Sequence, residues 1–418
     1  MIGNYKRFDM NRRPNRQWRI LTPITWLLSF PKAIMHKAQI DKTNMPKDIK
    51  PPYFLLCNHN SFMDFMIMTK AIFPNRANYI VAIDGFIGME WLLRAVGGIC
   101  NRKFVKSVTL VKNMLHARNN GDIVVLFPEA RYSLCGTQSV LPASLGKMIR
   151  KMNIPVVTLI MHGHHINSPF WNTGNRKVKP VQSEMKLLIT QKETQELSLD
   201  DINNRLAETF IYDDYAWQKE NKIRVKYKKR AEGLHKVLYQ CPACNVEYKM
   251  TSSKITLTCN ACGKEWEMSE LGELSAVTGD TEFSHIPDWY EWERENVRRE
   301  VESGTYSFEK NVRIESLPNA KGFIVFEKPG ILTHNKDGFT LTGEIEKEPF
   351  TLNWTAPSLY SCHIEYNYKG RGDCVDLNTS TDTLYLFPEG NDFSVTKIAL
   401  ATEELYNYSA KISSNSKL

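Results

Sequence analysis

Two short clusters in this 418-residue chain combine residue types that can move a proton. The first, Asn58-His59-Asn60-Ser61-Phe62-Met63-Asp64, places an imidazole five residues before a carboxylate. Unperturbed imidazole titrates near neutrality, so His59 can act as a base at physiological pH. A carboxylate on its other ring nitrogen, Asp64, would fix the tautomer and stabilise the imidazolium that forms. On one continuous helix the two side chains would diverge. They meet only if His59 lies in the turn before a helix that carries Asp64, and Asn58, Asn60 and Ser61 are cap-forming residues suited to such a turn. The second cluster, Phe127-Pro128-Glu129-Ala130-Arg131-Tyr132-Ser133, adds a carboxylate and a guanidinium. Either cluster alone is a weak signal. His36 and Asp41 repeat the first spacing with no strand ahead of them. Phe387-Pro388-Glu389-Gly390 imitates the second without a following arginine and reads as a turn after a strand.

A third constellation is Cys241-Pro242-Ala243-Cys244 and Cys259-Asn260-Ala261-Cys262, with fourteen residues between the pairs. Four thiolates delivered by two tight knuckles suit a closed, tetrahedral structural zinc site. Tyr248, Ile255 and Leu257 fit a hairpin between them, and the segment resembles a zinc ribbon; a redox dithiol needs only one pair. The remaining five cysteines are scattered singly, which argues against a disulfide framework and for a reducing, cytosolic compartment. His162, His164 and His165 lack a carboxylate at helical spacing and read as a polar loop after a strand.

The elements that must position these groups alternate. Tyr53–Cys57, Asn78–Ile83, Ile123–Phe127, Val156–Met161 and Met185–Thr190 read as strands. Phe62–Ile72, Phe86–Val96, Ser107–Asn119 and Pro142–Met152 read as helices. This is an α/β pattern with a largely parallel or mixed sheet, in which chemistry gathers at strand ends. The expected organisation is a basic amphipathic segment at 1–48, a layered α/β domain at 49–230, a zinc ribbon at 231–275, a helical linker at 276–310 and a β-rich domain ending in a helix at 311–418. The basic run Lys222–Arg230 reads as a solvated hinge.

Charge is concentrated at one end. Residues 1–50 hold eleven Lys/Arg against three Asp, an excess equal to the whole chain's +8, so the rest balances. A neutral body argues against nucleic acid as a partner. Only twelve uncharged residues separate Arg19 from Lys32, interrupted by Pro23 and Pro31, too few for a spanning helix. Trp18, Ile20, Leu21, Ile24, Trp26, Leu27, Leu28, Phe30 and Ile34 with their basic rim suit an interfacial segment on anionic lipid.

Taken in order, the two proton-moving clusters resemble the signature of the glycerolipid acyltransferases, the 1-acyl-sn-glycerol-3-phosphate acyltransferase-like family. Gly97-Gly98-Ile99-Cys100-Asn101-Arg102 is similar to that family's second block and Ile154-Pro155-Val156-Val157 to its fourth. The resemblance covers about residues 55–160. It implies that His59 and Asp64 are catalytic, and that Arg102, Glu129 and Arg131 shape a phosphate site. Glu129 would either touch substrate or bridge loops. It implies transfer of a fatty acyl group from acyl-CoA or acyl carrier protein to 1-acylglycerol-3-phosphate, at the inner face of the cell membrane. Another acceptor, such as glycerol-3-phosphate or a different lysolipid, is the alternative, as is a non-catalytic, membrane-docking zinc-ribbon adaptor. The chain departs from the pattern at Ala130, where the family has glycine, and at Arg131, which arrives one position early.

Overall fold

The computed structural model describes residues 3–415, without the side chains of 414 and 415. The chain forms two compact units. One comprises Asp9–Asn101 and Ser107–Lys226. The other comprises Met1–Phe8, Arg102–Lys106 and Tyr227–Leu418, of which residues 1–2 and 416–418 are not described.

The first unit begins with α1 (Thr22–Met35) and β1 (Gln39–Asp41). Then follow β2 (Phe54–Cys57), α2 (Met63–Ala71), β3 (Ala77–Ala82), α3 (Glu90–Ala95), β4 (Gly98–Asn101), α4 (Val108–Asn119) and β5 (Ile123–Leu126). After these come α5 (Leu145–Met152), β6 (Val156–His162), α6 (His164–Asn167), β7 (Gln182–Ile189), α7 (Glu193–Glu196), α8 (Leu199–Thr209) and α9 (Asp214–Glu220). The seven strands make one sheet in the order β1-β7-β6-β2-β5-β3-β4. From β6 to β4 every neighbouring pair is parallel, while β7 runs antiparallel to β6. A parallel sheet covered on both faces needs continuously apolar strands. β2, Phe-Leu-Leu-Cys, is buried at every position. Phe54, Leu56, Val124 and Val156 pack with Leu110 and Met114 of α4 and with Ile149 and Met152 of α5 in one core.

The expected strands and helices are present with ends shifted by a few residues, and one helix is much shorter. The segment expected as a helix over Phe86–Val96 is α-helical only at Glu90–Ala95, with Phe86 ending a preceding 3-10 turn, because Gly88 adopts φ +71° and breaks the pattern. The Gly97–Gly98 pair makes a strand possible in a crowded place: a Cβ on either residue would sit 2.8 Å from a backbone oxygen, of Ala77 or of Leu93. The sequence reading named no helix in 190–220, where α8 and α9 form, α8 behind a Ser198–Asp201 capping box.

The second unit holds a small four-stranded sheet and a large one. β8 (Met250–Ser253), β9 (Thr256–Cys259), β10 (Glu265–Met268) and β11 (Leu274–Ala276) form an antiparallel meander. α10 (Ile286–Ser303) follows. The large sheet contains β12 (Phe308–Leu317), β13 (Ile324–Val325), β14 (Gly330–Asn335), β15 (Gly338–Ile345), β16 (Glu348–Thr355), β17 (His363–Glu365), β18 (Cys374–Asn378) and β19 (Thr383–Pro388). α11 (Val395–Asn415) is the last element among the described residues. It packs on α10, where Arg294 bridges to Glu403 at 2.7 Å and Lys397 to Glu300 at 2.8 Å. The Phe387–Gly390 look-alike is the end of β19 and the turn behind it.

Candidate functional site

Strand order brings the site together. β6, β2 and β5 are neighbours and parallel, so their C-terminal ends open on one edge. His59 follows β2, the Phe127–Ser133 segment follows β5, and His164 follows β6. Adjacent strands lie about 4.8 Å apart, so residues distant in sequence become neighbours there. Asn58 ties two of these ends: its side-chain amide donates to Met161 O at 2.9 Å and its carbonyl accepts from Met161 N at 2.8 Å.

His59 lies in the turn and Asp64 in the first turn of α2, the arrangement their spacing demands. Asp64 is fully buried. Its Oδ2 accepts from His59 Nδ1 at 3.0 Å, from Asn60 N at 2.6 Å and from Ser61 N at 3.0 Å. Its Oδ1 accepts from His164 Nδ1 at 2.6 Å. Burial raises the carboxyl, but the hydrogen bonds from His164 and His59 outweigh it and hold the group at about 2. Ionised Asp64 can only accept, so His59 carries its proton on Nδ1, and Nε2 is left with a free lone pair. The ring lies between Phe127 and Tyr132, at 4.2 and 4.3 Å between centroids, with its side chain 23 % exposed. His59 thus has a set tautomer and a partly exposed ring. His36 and Asp41 form no such pair: His36 Nδ1 bonds Val178 O and Asp41 bonds Thr43.

The second cluster holds the backbone of the first. Glu129 Oε2 accepts from His59 N at 2.7 Å, and Oε1 accepts from Ser139 N at 2.7 Å. Ser133 N in turn donates to His59 O at 2.8 Å. Glu129 thus bridges the loops after β2 and β5 through these bonds. Burial pushes its carboxyl up to about 8, only partly countered by those two N–H groups. Ala130 sits at φ +57°, the left-handed region that glycine occupies freely, so the turn keeps its shape despite the side chain. Arg131 is buried and interacts electrostatically with Glu129.

Arg102 is placed differently from the expected phosphate ligand. It belongs to the second unit, where its guanidinium donates to Leu317 O (3.0 Å), Thr383 Oγ1 (2.6 Å), Pro318 O (3.1 Å) and Thr381 O (2.6 Å). Sequence reasoning also undervalued the histidines after β6. His164 and His165 are buried in α6 rather than lying in a polar loop, and burial lowers His165 to about 4. No spacing rule could pair His164 with Asp64, because the link runs between strand ends.

In the second unit, Cys241, Cys244, Cys259 and Cys262 lie together, with Sγ pairs 241–262 and 244–259 each 3.8 Å apart. A tetrahedron of sulfurs about 2.3 Å from zinc has edges of about 3.8 Å, so the donor set fits that ion. The knuckles repeat one backbone pattern. Cys241 N bonds Val246 O and Cys259 N bonds Lys264 O, and each second cysteine is followed by a left-handed residue, Asn245 or Gly263.

Residues 37–162 match the model of the Acyltransferase family, so this stretch carries an acyltransferase domain. The chain is also similar to the solved 1-acyl-sn-glycerophosphate (LPA) acyltransferase PlsC from Thermotoga maritima. That likeness has 16% identity and a TM-score of 0.34, and covers 45% of this chain and 79% of that one. Comparison with curated proteins gives no match.

Glu129 predicts a pH signature. Unfolded, its carboxyl titrates near 4.5; folded, near 8. Between those values the folded state binds more protons, so this residue makes stability fall as pH rises, by at most about 1.4 kcal/mol per unit. Glu129→Gln removes the term. The fall in thermal midpoint between about pH 5 and 8 is therefore expected to be shallower in the variant, and superimposable midpoint–pH curves would contradict the assignment.

Proposed function

We propose that the protein transfers a fatty acyl group from acyl-CoA or acyl carrier protein to the hydroxyl of 1-acylglycerol-3-phosphate. The observation that carries this reading is the partly exposed His59, its Nδ1 held by buried Asp64, inside the segment that matches the Acyltransferase family. Nε2 takes the hydroxyl proton as the oxygen attacks the thioester carbonyl. The tetrahedral intermediate collapses with cleavage of the C–S bond, and the imidazolium returns the proton to the departing thiolate. One ester forms, one thioester breaks, and no covalent enzyme intermediate is required. Asp64 stabilises the transient imidazolium. Arg131 is assigned to the acceptor phosphate, since guanidinium binds phosphate bidentately. Arg102 is not assigned to it, because its guanidinium holds carbonyls of the second unit. That engagement favours a second reading, in which the acceptor is a lysolipid lacking phosphate; glycerol-3-phosphate, the other alternative, carries the same phosphate group and gains nothing from it.

The interfacial reading of the N-terminal segment gains support from α1. Thr22, Thr25, Ser29 and Ala33 are buried, with α1 packed on α2, while Leu27 and Leu28 are 72% and 67% exposed. Small residues face the protein and large apolar ones face outward, the reverse of a helix facing water. Fourteen residues span about 21 Å, short of the roughly 30 Å of a bilayer core. Among the described residues no helix is long and apolar enough to cross a membrane. The proposed location is the membrane surface on the cytoplasmic side. The four cysteine thiolates are proposed to hold one structural zinc, which would fix the fold of the β8–β11 module.

Three outcomes are expected. Purified protein releases thiol from acyl-CoA or acyl carrier protein only when 1-acylglycerol-3-phosphate is present. His59→Ala abolishes the release and Asp64→Asn lowers kcat roughly 10³- to 10⁴-fold, whereas equal release without acceptor would refute the reaction. Leu27→Glu with Leu28→Glu cuts co-sedimentation with anionic vesicles at least about tenfold, given about 1.5–3 kcal/mol per buried leucine; undiminished binding removes the interfacial role. Elemental analysis gives one zinc per chain, lost in Cys241→Ser with Cys259→Ser, and a metal-free, fully folded protein would dismiss the site.

A further inference from the structure

The two oxygens of Asp64 are served by two histidines. His59 Nδ1 meets Oδ2, and His164 Nδ1 meets Oδ1 at 2.6 Å, with the His164 side chain wholly buried. We propose that His164 is a positioning residue for acyl transfer: it holds the rotation of the Asp64 carboxylate so that Oδ2 stays on His59 Nδ1. The inference rests on the His59–Asp64 reading above.

Oδ2 has three donors, whereas His164 is the partner shown for Oδ1. Without His164, a fully buried oxygen loses its hydrogen bond, and the carboxylate is free to turn away from His59 or to hold a proton. The other nitrogen of His164 distinguishes it from a histidine that merely fills the core. Nε2 is buried with no hydrogen-bond partner among the described residues. Asp64 accepts at Nδ1, so a His164 proton sits there and points to Oδ1.

Burial raises Glu129, Cys57 and Tyr212, titratable groups that interact with Asp64. His36, which interacts with His164, is lowered by burial. Asp214, also buried, accepts from Gly163 N and His165 N on either side of His164. The side chains that bond the Asp64 carboxylate itself are the two imidazoles. His164 is placed by its strand: Asn58 pins Met161 in β6, and the chain turns into α6 at Gly163, where φ is +83°.

The test compares His164→Asn, whose amide nitrogen reaches the position of Nδ1, with His164→Gln and His164→Ala, which offer no donor there. Folding is checked by thermal midpoint. For Ala and Gln, kcat is expected to fall about 10- to 100-fold with KM within about twofold. The acid limb of kcat/KM, which reports the base of the free enzyme, should shift by about half a pH unit or more as the Asp64–His59 hydrogen bond loosens. Asn should recover both. Wild-type kcat and acid limb in His164→Ala would overturn the proposal, as would equal losses in Asn, Gln and Ala with an unmoved limb. A readout without turnover separates this from failure of the acyltransferase reading. In ¹⁵N-histidine-labelled protein, two downfield imidazole N–H signals are expected. His164→Asn should remove one and shift the other, and His59→Ala should remove the other. A His59 signal unchanged by loss of His164 would overturn the proposal even if no substrate is found.

Discussion

The site depends on keeping one buried carboxylate ionised. A carboxylate taken from water with too few donors is pushed toward its neutral form, as Glu129 shows: it receives two backbone N–H groups, yet burial pushes it to about 8. Asp64, equally buried, receives two imidazoles and two backbone N–H groups and stays near 2. The difference lies in the donors, not in depth. Asn60 and Ser61 supply theirs because the chain turns there before α2, whose N-terminus itself favours negative charge. His164 supplies its own because β6 ends beside β2.

The two carboxylates divide the work. Asp64 sets the tautomer of His59, while Glu129 fixes where the His59 backbone lies. With Ser133 N on His59 O, both backbone polar groups of His59 are held by the segment after β5. That segment must turn sharply to reach them, and it does so with an alanine at φ +57°. The strain is tolerated because hydrogen bonds on either side of the turn define its geometry.

The second unit is organised by buried polar and paired groups in a different way. Glu293 of α10 is fully buried and accepts from Gln240 N at 2.8 Å, immediately before the first cysteine knuckle. Lys397 of α11 reaches Glu247, between the knuckles, as well as Glu300 of α10. The cysteine module, α10 and α11 are thus linked through shared side chains, and Arg102 anchors its own short segment to the ends of β12 and β19 in the same unit. Arg102 looks like a ligand in sequence because its surroundings resemble the family's second block, and guanidinium suits phosphate. In the structure, carbonyl oxygens occupy the same donors.

Local chemistry was readable from the chain. The His59–Asp64 turn follows from spacing and caps, the cysteine knuckles from their repeated x-x gap, and the central strands from unbroken apolar runs. Elements governed by glycine at close approach, such as β4, or by polar capped helices, such as α8 and α9, carried weaker patterns, and their positions were missed or blurred. The sequence by itself determined which residues could form a base, a carboxylate partner and a thiolate cage, because those are set by residue type over a few positions. Only tertiary structure decided that Glu129 bridges loops, that Arg102 is held by carbonyls and that His164 completes the shell of Asp64. Each of these contacts joins distant parts of the chain, and strand order, not spacing, determines which strand ends become neighbours.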